Sequence, residues 1–129
     1  MSVIEKDVLA IALSMSKPKY RSESERLWGD MYGQIYIQDV FGHPVLQQNY
    51  EPITFSIPGG VYTPDFLYIL NNGNMLFVEI KGSKEQKNYR DARSKLRACA
   101  EVYYWAYWME AVGGKKGFTT EIIGQKPNE

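Results

Sequence analysis

Three residues near the middle of the chain combine types and a spacing that could perform hydrolytic chemistry. Asp65 follows a proline, and Glu79 and Lys81 lie two residues apart in an otherwise apolar stretch. Alternate residues of a β-strand point to the same face, so a strand here would place the side chains of Glu79 and Lys81 together. Two carboxylates and an ammonium group at one place could bind a hard divalent cation and act on a phosphate ester.

The position of Asp65 relative to this pair depends on the hairpin around Asn71-Asn72-Gly73-Asn74. A two-residue loop would pair Glu79 with Phe66 and turn the side chain of Asp65 away from it. A three-residue loop over the first three of these residues, with the glycine left-handed, would set Asp65 directly opposite Glu79. We predict the second register, because the first one dismantles the site.

Carboxylates at directly paired positions would need a compensating cation. Their Cβ atoms would lie roughly 4.5–5.5 Å apart, and one carboxyl group would keep its proton unless a cation were present. Mg²⁺ or Mn²⁺ suits hard oxygen ligands, and either ion could lower the pKa of a bound water. Lys81 could orient that water or neutralise charge on the phosphate. A surface salt bridge in an ordinary hairpin is the alternative, and the residues alone do not decide between the two.

The elements that would position these residues follow from capping boxes, turn signals and periodicity. Helices are predicted over 2–16, from about Glu23 to Tyr32 with Gly33 at its end, and from about Lys84 to Val112. Strands are predicted over 53–57, 61–70, 75–81 and 118–123. The expected fold class is α/β (α+β), with a small four-stranded mixed sheet, flanking helices and the order α-α-β-β-β-α-β.

Composition is that of a soluble globular domain. The 129 residues, 44% hydrophobic and 23% charged, suit one domain over 1–129 with its core at about 20–123. The single cysteine, Cys99, excludes an intrachain disulfide and is expected in the core. With no apolar run near the ~20 residues of a membrane span and no secretory signal pattern, we expect a cytosolic location. No membrane association and no organic cofactor are expected.

Charge is balanced overall but unevenly distributed. Fifteen basic and fifteen acidic residues cancel, whereas the segment 81–97 carries seven basic and two acidic side chains, a net charge of +5. Such a segment suits an anionic partner, although a solvated helix face would look the same. We predict nucleic-acid contacts for its basic residues beyond the motif: Lys84, Lys87, Arg90, Arg93, Lys95 and Arg97.

The motif resembles the signature of the PD-(D/E)XK nuclease superfamily, with Pro64-Asp65 on one strand and Glu79-Ile80-Lys81 on the next. The predicted element order also resembles that family's restriction-endonuclease-like core over about residues 20–123. The stretch from Tyr62 to Phe66 before a Val-Glu-x-Lys-Gly strand is similar to small phage-encoded endonucleases, which points to a phage or prophage origin. The resemblance implies that Asp65 and Glu79 bind the metal with the Ile80 backbone carbonyl, and that Lys81 is the catalytic lysine.

Family members often carry further site residues on the two flanking helices. A glutamate before the sheet is common, and Glu25 is the best match, with Glu23 as the competing candidate. A capping box with Ser22 would occupy the same Glu25 carboxylate. The long helix often carries a lysine, arginine or glutamine facing the phosphate, and the candidates are Gln86, Arg93 and Lys95.

The resemblance implies a Mg²⁺-dependent endonuclease that hydrolyses phosphodiester bonds in DNA, with Mn²⁺ able to substitute. Balanced net charge favours recognition of a junction, flap or end over tight binding to any duplex. The alternative is a catalytically inactive module of the same fold that binds nucleic acid or a partner protein. Tyr104, Trp105 and Trp108 lie off the apolar face of the predicted long helix, and common exposure would suggest a homodimer or partner surface.

Overall fold

The computed structural model describes residues 18–82, 89–114 and 117–124. The predicted helix over 2–16 lies outside these residues, as do Gln86, Lys84 and Lys87. Within the described ranges, no helix is long and apolar enough to cross a membrane.

The first described helical segment is longer than the sequence predicts. It comprises α1 (Glu23–Leu27), a π-helical turn (Trp28–Tyr32) and α2 (Gly33–Phe41). The side chain of Ser22 caps its start, as the capping box predicts. It ends at Gly42, whose φ of 70° is left-handed and whose N–H donates to the carbonyl of Gln38.

Gly33 therefore does not end a helix, and that prediction is wrong. Gly33 is buried, and a Cβ atom there would overlap the hydroxyl of Tyr68 and lie 2.9 Å from the carbonyl oxygen of Trp28. Because Gly33 has no side chain, the helix can lie close to the sheet beneath it.

Seven strands and one more helix follow in the described part of the chain. They are β1 (Val45–Tyr50), β2 (Phe55–Ile57), β3 (Gly60–Tyr62), β4 (Phe66–Leu70), β5 (Met75–Lys81), α3 (Tyr89–Val102), β6 (Tyr107–Gly114) and β7 (Gly117–Ile123). The main sheet has the order β1-β4-β5-β6-β7, and β2 and β3 form a separate hairpin. Only β5 and β6 pair in parallel, on either side of α3.

The fold is α+β with a mixed sheet, as expected, but the sheet has five strands rather than four and the element order differs. The predicted strand over 61–70 is divided into β3 and β4. The predicted long helix stops at Val102, and 107–114 forms a strand instead. Because β6 lies between β5 and β7, Trp108 and Met109 are buried on opposite faces. This tertiary environment outweighs the helical periodicity.

Two cores cover the two faces of the sheet. Trp28 and Ile37 pack on one face with Val78 and its neighbours. On the other face, α3 buries Leu96 and Cys99 against a group that includes Phe77 and Trp108. The prediction that Cys99 belongs to the core is confirmed. The β2–β3 hairpin contributes Phe55 and Tyr62 to this second core.

The Gly33→Ala variant is expected to lower the free energy of unfolding by about 1–3 kcal/mol, because the added methyl group overpacks the contact between the helix and the sheet. Urea denaturation measures the change. Gln34→Ala, at an exposed position of the same helix, is the control and should change the same quantity by less than about 0.5 kcal/mol. Equal stability of both variants would contradict this account of Gly33.

Candidate active site

The hairpin of β4 and β5 has the predicted register, which is confirmed. Phe66 pairs with Val78 and Ile69 pairs with Met75. The loop closes over three residues, since the N–H of Leu70 donates to the carbonyl of Asn74 and Gly73 has a φ of 88°. One further step along this register places Asp65 opposite Glu79.

Asp65 is held on both sides by backbone groups. Its side-chain Oδ2 accepts a hydrogen bond of 2.7 Å from the N–H of Ile80 on β5. Its own carbonyl accepts a hydrogen bond of 2.8 Å from the N–H of Glu51, just after β1. The carboxyl group is thereby directed along β5, toward the peptide unit between Glu79 and Ile80.

Glu79 and Lys81 form a buried ion pair on the α3 side of the sheet. The Lys81 Nζ lies 3.1 Å from Glu79 Oε1, and the two side chains are only 12% and 9% exposed. The hydroxyl of Tyr62 donates to the other carboxylate oxygen, Oε2. The pair is therefore not a surface salt bridge, because strands and the second hairpin enclose it.

Burial changes the protonation of the two carboxyl groups, and the charge of Glu79 adds to the effect at Asp65. Burial, together with the charge of Glu79, raises the pKa of Asp65 to about 8, although the N–H of Ile80 opposes the change. Burial also raises the pKa of Glu79, against hydrogen bonds from Tyr62 and the charge of Lys81. In the absence of a bound cation, the pair therefore keeps a proton near neutral pH.

Glu25 reaches the same site from the opposite side of the sheet. It is buried, and its charge contributes to the raised pKa of Asp65. Its Oε1 accepts from the hydroxyl of Tyr50, and its Oε2 accepts from Ser22 Oγ at 2.9 Å. Glu25 therefore takes part in the capping box with Ser22 and also lies beside the site. Glu23, the competing candidate, is exposed and bound to Arg26 at 2.6 Å.

Arg93 is directed at the sheet and away from solvent. Its guanidinium binds Glu110 Oε1 at 2.8 Å and Glu121 Oε2 at 3.0 Å, and the Glu110 side chain is 2% exposed. Glu110 pairs in register with Glu79 on one side and with Glu121 on the other. These two carboxylates give Arg93 a structural role, and its predicted contact with nucleic acid stays a prediction.

The other basic residues of α3 in the described range lie further out. Arg90 and Arg97 are exposed, and Lys95 is within 3.5 Å of Asp91. Of the aromatic residues predicted to lie off the apolar face of the long helix, Tyr104 is 68% and Trp105 is 53% exposed. Trp108 belongs to the core, since β6 replaces the helix on which that prediction rested.

Sequence reasoning missed Tyr62, Tyr50 and Glu110 as groups in or beside the site. Tyr62 precedes Asp65 by three residues, so its proximity along the chain was a usable signal. No sequence signal pointed to Tyr50 or Glu110, because both are far from the site along the chain. Only the folded positions of β1 and β6 bring them near it.

The donor set of this site suits a hard divalent ion. Among the residues with described positions, no group of three or more His, Cys, Asp or Glu side chains is arranged to hold a metal ion. Asp65, Glu79 and the carbonyl of Ile80 are two carboxyl groups and one neutral oxygen. Mg²⁺ is commonly held by one or two carboxylates, with water and substrate phosphate as the other ligands.

Comparison with known proteins adds little to this geometry. No protein-family model matches the chain, and no curated protein matches it. Among solved structures, the crystal structure of SSO0001 is similar over 97% of this chain, with 17% identity and a TM-score of 0.38. This chain covers 60% of the SSO0001 chain.

Raising the pH is expected to destabilise the metal-free protein. The folded state holds the proton of Asp65 up to about pH 8, whereas the unfolded chain releases it near the ordinary pKa of 3.8. The free energy of unfolding therefore falls as pH rises between these values. Urea denaturation in EDTA measures the fall, which should be smaller in Asp65→Asn. The same fall in both proteins would show that Asp65 is not the group responsible.

Arg93→Ala is expected to lower the free energy of unfolding by about 3–5 kcal/mol, because it removes the cation beside the buried Glu110. Arg97→Ala, at an exposed position on the same helix, should change it by less than about 0.5 kcal/mol. Thermal and urea denaturation of the two variants provide the comparison. A stable Arg93→Ala protein would contradict the structural role of this ion pair.

Proposed function

We propose that this protein is a Mg²⁺-dependent endonuclease of the PD-(D/E)XK superfamily that hydrolyses phosphodiester bonds in DNA. The observation that carries the proposal is the cluster of Asp65, Glu79 and Lys81, in which Glu79 is buried and the other two residues are partly buried. The first two face each other across the β4–β5 hairpin, and the Lys81 Nζ lies 3.1 Å from Glu79. A buried pair of carboxyl groups is costly without a compensating cation, and a divalent ion would supply that charge.

Each of these residues has a role that follows from its contacts. Asp65, Glu79 and the Ile80 carbonyl would hold the ion, which when bound supplies Lewis-acid polarisation of the phosphate and a water of lowered pKa. Lys81 keeps its ammonium group beside Glu79, where it can orient the attacking water or offset charge on the phosphate. Glu25 adds a third carboxyl group close to Asp65.

The DNA would lie against the end of the sheet that carries the site. Arg90 and Arg97 are the exposed cations of α3, and Lys84 and Lys87 precede that helix in the sequence. With a net charge of zero, attraction to a uniform duplex is modest, which favours a junction, flap or end that offers phosphates at several angles. In a phage or prophage setting, the enzyme would act in the host cytoplasm.

Cleavage of DNA with Mg²⁺ or Mn²⁺, and its loss in EDTA, tests the proposal. Asp65→Asn, Glu79→Gln and Lys81→Met are each expected to lower kcat by at least about 100-fold, because each removes a group that acts at the scissile phosphate. Gln34→Ala, at an exposed position of α2, is the control and should cleave as the wild type does.

The substrates should include duplex, single-stranded, flap and four-way DNA, each also tested as RNA. A wild-type protein that cuts none of them, or an Asp65→Asn variant that cuts equally well, would overturn the enzymatic proposal. The protein would then be a catalytically inactive module of this fold that binds nucleic acid or a partner protein.

A further inference from the structure

A tyrosine from the small hairpin reaches into the site. Tyr62 lies at the end of β3, which pairs with β2 and not with the main sheet. Its ring is buried in the core on the α3 side, and its hydroxyl donates to Glu79 Oε2. A separate element of the fold therefore contributes a hydrogen bond to one of the carboxylates proposed to bind metal.

The hydroxyl of Tyr62 completes the set of contacts that orient the Glu79 carboxylate. Lys81 occupies Oε1 and Tyr62 occupies Oε2, so rotation of the carboxylate would break one contact or the other. The lone pairs not used by these donors keep a defined direction. Groups that fix a ligating carboxylate in this way commonly strengthen metal binding without touching the metal.

The position of the Tyr62 hydroxyl is itself fixed by packing. Phe55 pairs with Tyr62 across the hairpin, and its ring contacts Phe77 and Trp108 at centroid distances of 5.0 and 5.2 Å. The hydroxyl of Tyr103 donates to the carbonyl of Ser56 at 2.6 Å and ties the hairpin to the end of α3. The ring packing, rather than this exposed hydrogen bond, presents the Tyr62 hydroxyl at one place, which is what orientation of a ligand requires.

We propose that Tyr62 is a positioning residue that orients the Glu79 carboxylate for divalent metal binding, an inference that rests on the metal-dependent function proposed above. A phenylalanine would fill the same space in the core and lack only the hydroxyl. The effect of that hydroxyl on metal affinity is therefore separable from the packing of the ring.

The test is titration of the full chain with Mn²⁺ by calorimetry, together with cleavage measured over a range of Mn²⁺ concentrations. Tyr62→Phe is expected to weaken Mn²⁺ binding about tenfold or more. Its cleavage should fall at low Mn²⁺ and recover toward the wild-type rate at high Mn²⁺. When it is added to Glu79→Gln, the same change should have no further effect on Mn²⁺ affinity, because Tyr62 acts through Glu79.

Tyr103→Phe is the matched control, because it removes a hydroxyl that ties down the same hairpin without touching Glu79. It should bind Mn²⁺ and cleave as the wild type does. Equal loss of Mn²⁺ affinity in both variants would overturn the inference, since rigidity of the hairpin would then be the cause. Failure of Tyr62→Phe to fold would also overturn it, because the hydroxyl would then serve stability.

The outcomes separate this inference from the proposed function. A wild-type protein that binds Mn²⁺ and cleaves DNA, with Tyr62→Phe unchanged in both respects, would overturn the role of Tyr62 alone. A wild-type protein that neither binds Mn²⁺ nor cleaves any substrate would overturn both.

Discussion

The repulsion between the carboxyl groups of Asp65 and Glu79 is the interaction on which the site depends. Glu79 is buried and Asp65 is partly buried, and the charge of Glu79 raises the cost of ionising Asp65. The β4–β5 hairpin holds them together because its three-residue loop fixes the register. A proton relieves the repulsion in the metal-free protein, and a divalent cation would relieve it in the proposed enzyme.

Closely spaced carboxylates also occur on the neighbouring strands of the sheet. Glu79, Glu110 and Glu121 occupy neighbouring registered positions on β5, β6 and β7, and Asp65 extends this row at one end. Two cations stand among the carboxylates: Lys81 beside Glu79, and Arg93 between the other two. Each half of the row therefore has two carboxylates and one cation, but Glu121 is 56% exposed to solvent whereas Asp65 is partly buried.

The sequence could predict those parts of the site that local signals determine. The Asn71-Asn72-Gly73 turn specifies one hairpin register, and strand periodicity places Glu79 and Lys81 on one face. Ser22 and Glu25 are likewise close in the chain, so the cap at the start of α1 was predictable.

The remaining parts arise from contacts between distant segments. The segment 107–114 has helical periodicity, but its place between β5 and β7 makes it a strand. Consequently neither β6 nor the position of Glu110 was predictable. Gly33 has the residue type of a helix end, yet it lies within the helical segment because Tyr68 and Trp28 leave no space for a side chain.

The π-helical turn at Trp28–Tyr32 changes the direction in which side chains before and after it point around the helix axis. In an uninterrupted α-helix, at about 100° per residue, Glu25 would lie roughly 120° around the axis from Ile37. The wider turn takes more residues per revolution and reduces that angle. Ile37 can therefore face the core while Glu25, twelve positions earlier, is also buried and lies near enough to Asp65 for its charge to raise that pKa. A helical wheel drawn with one period would place these two side chains on different sides, so the extra residue of the turn is what allows one segment both to pack and to supply a carboxylate.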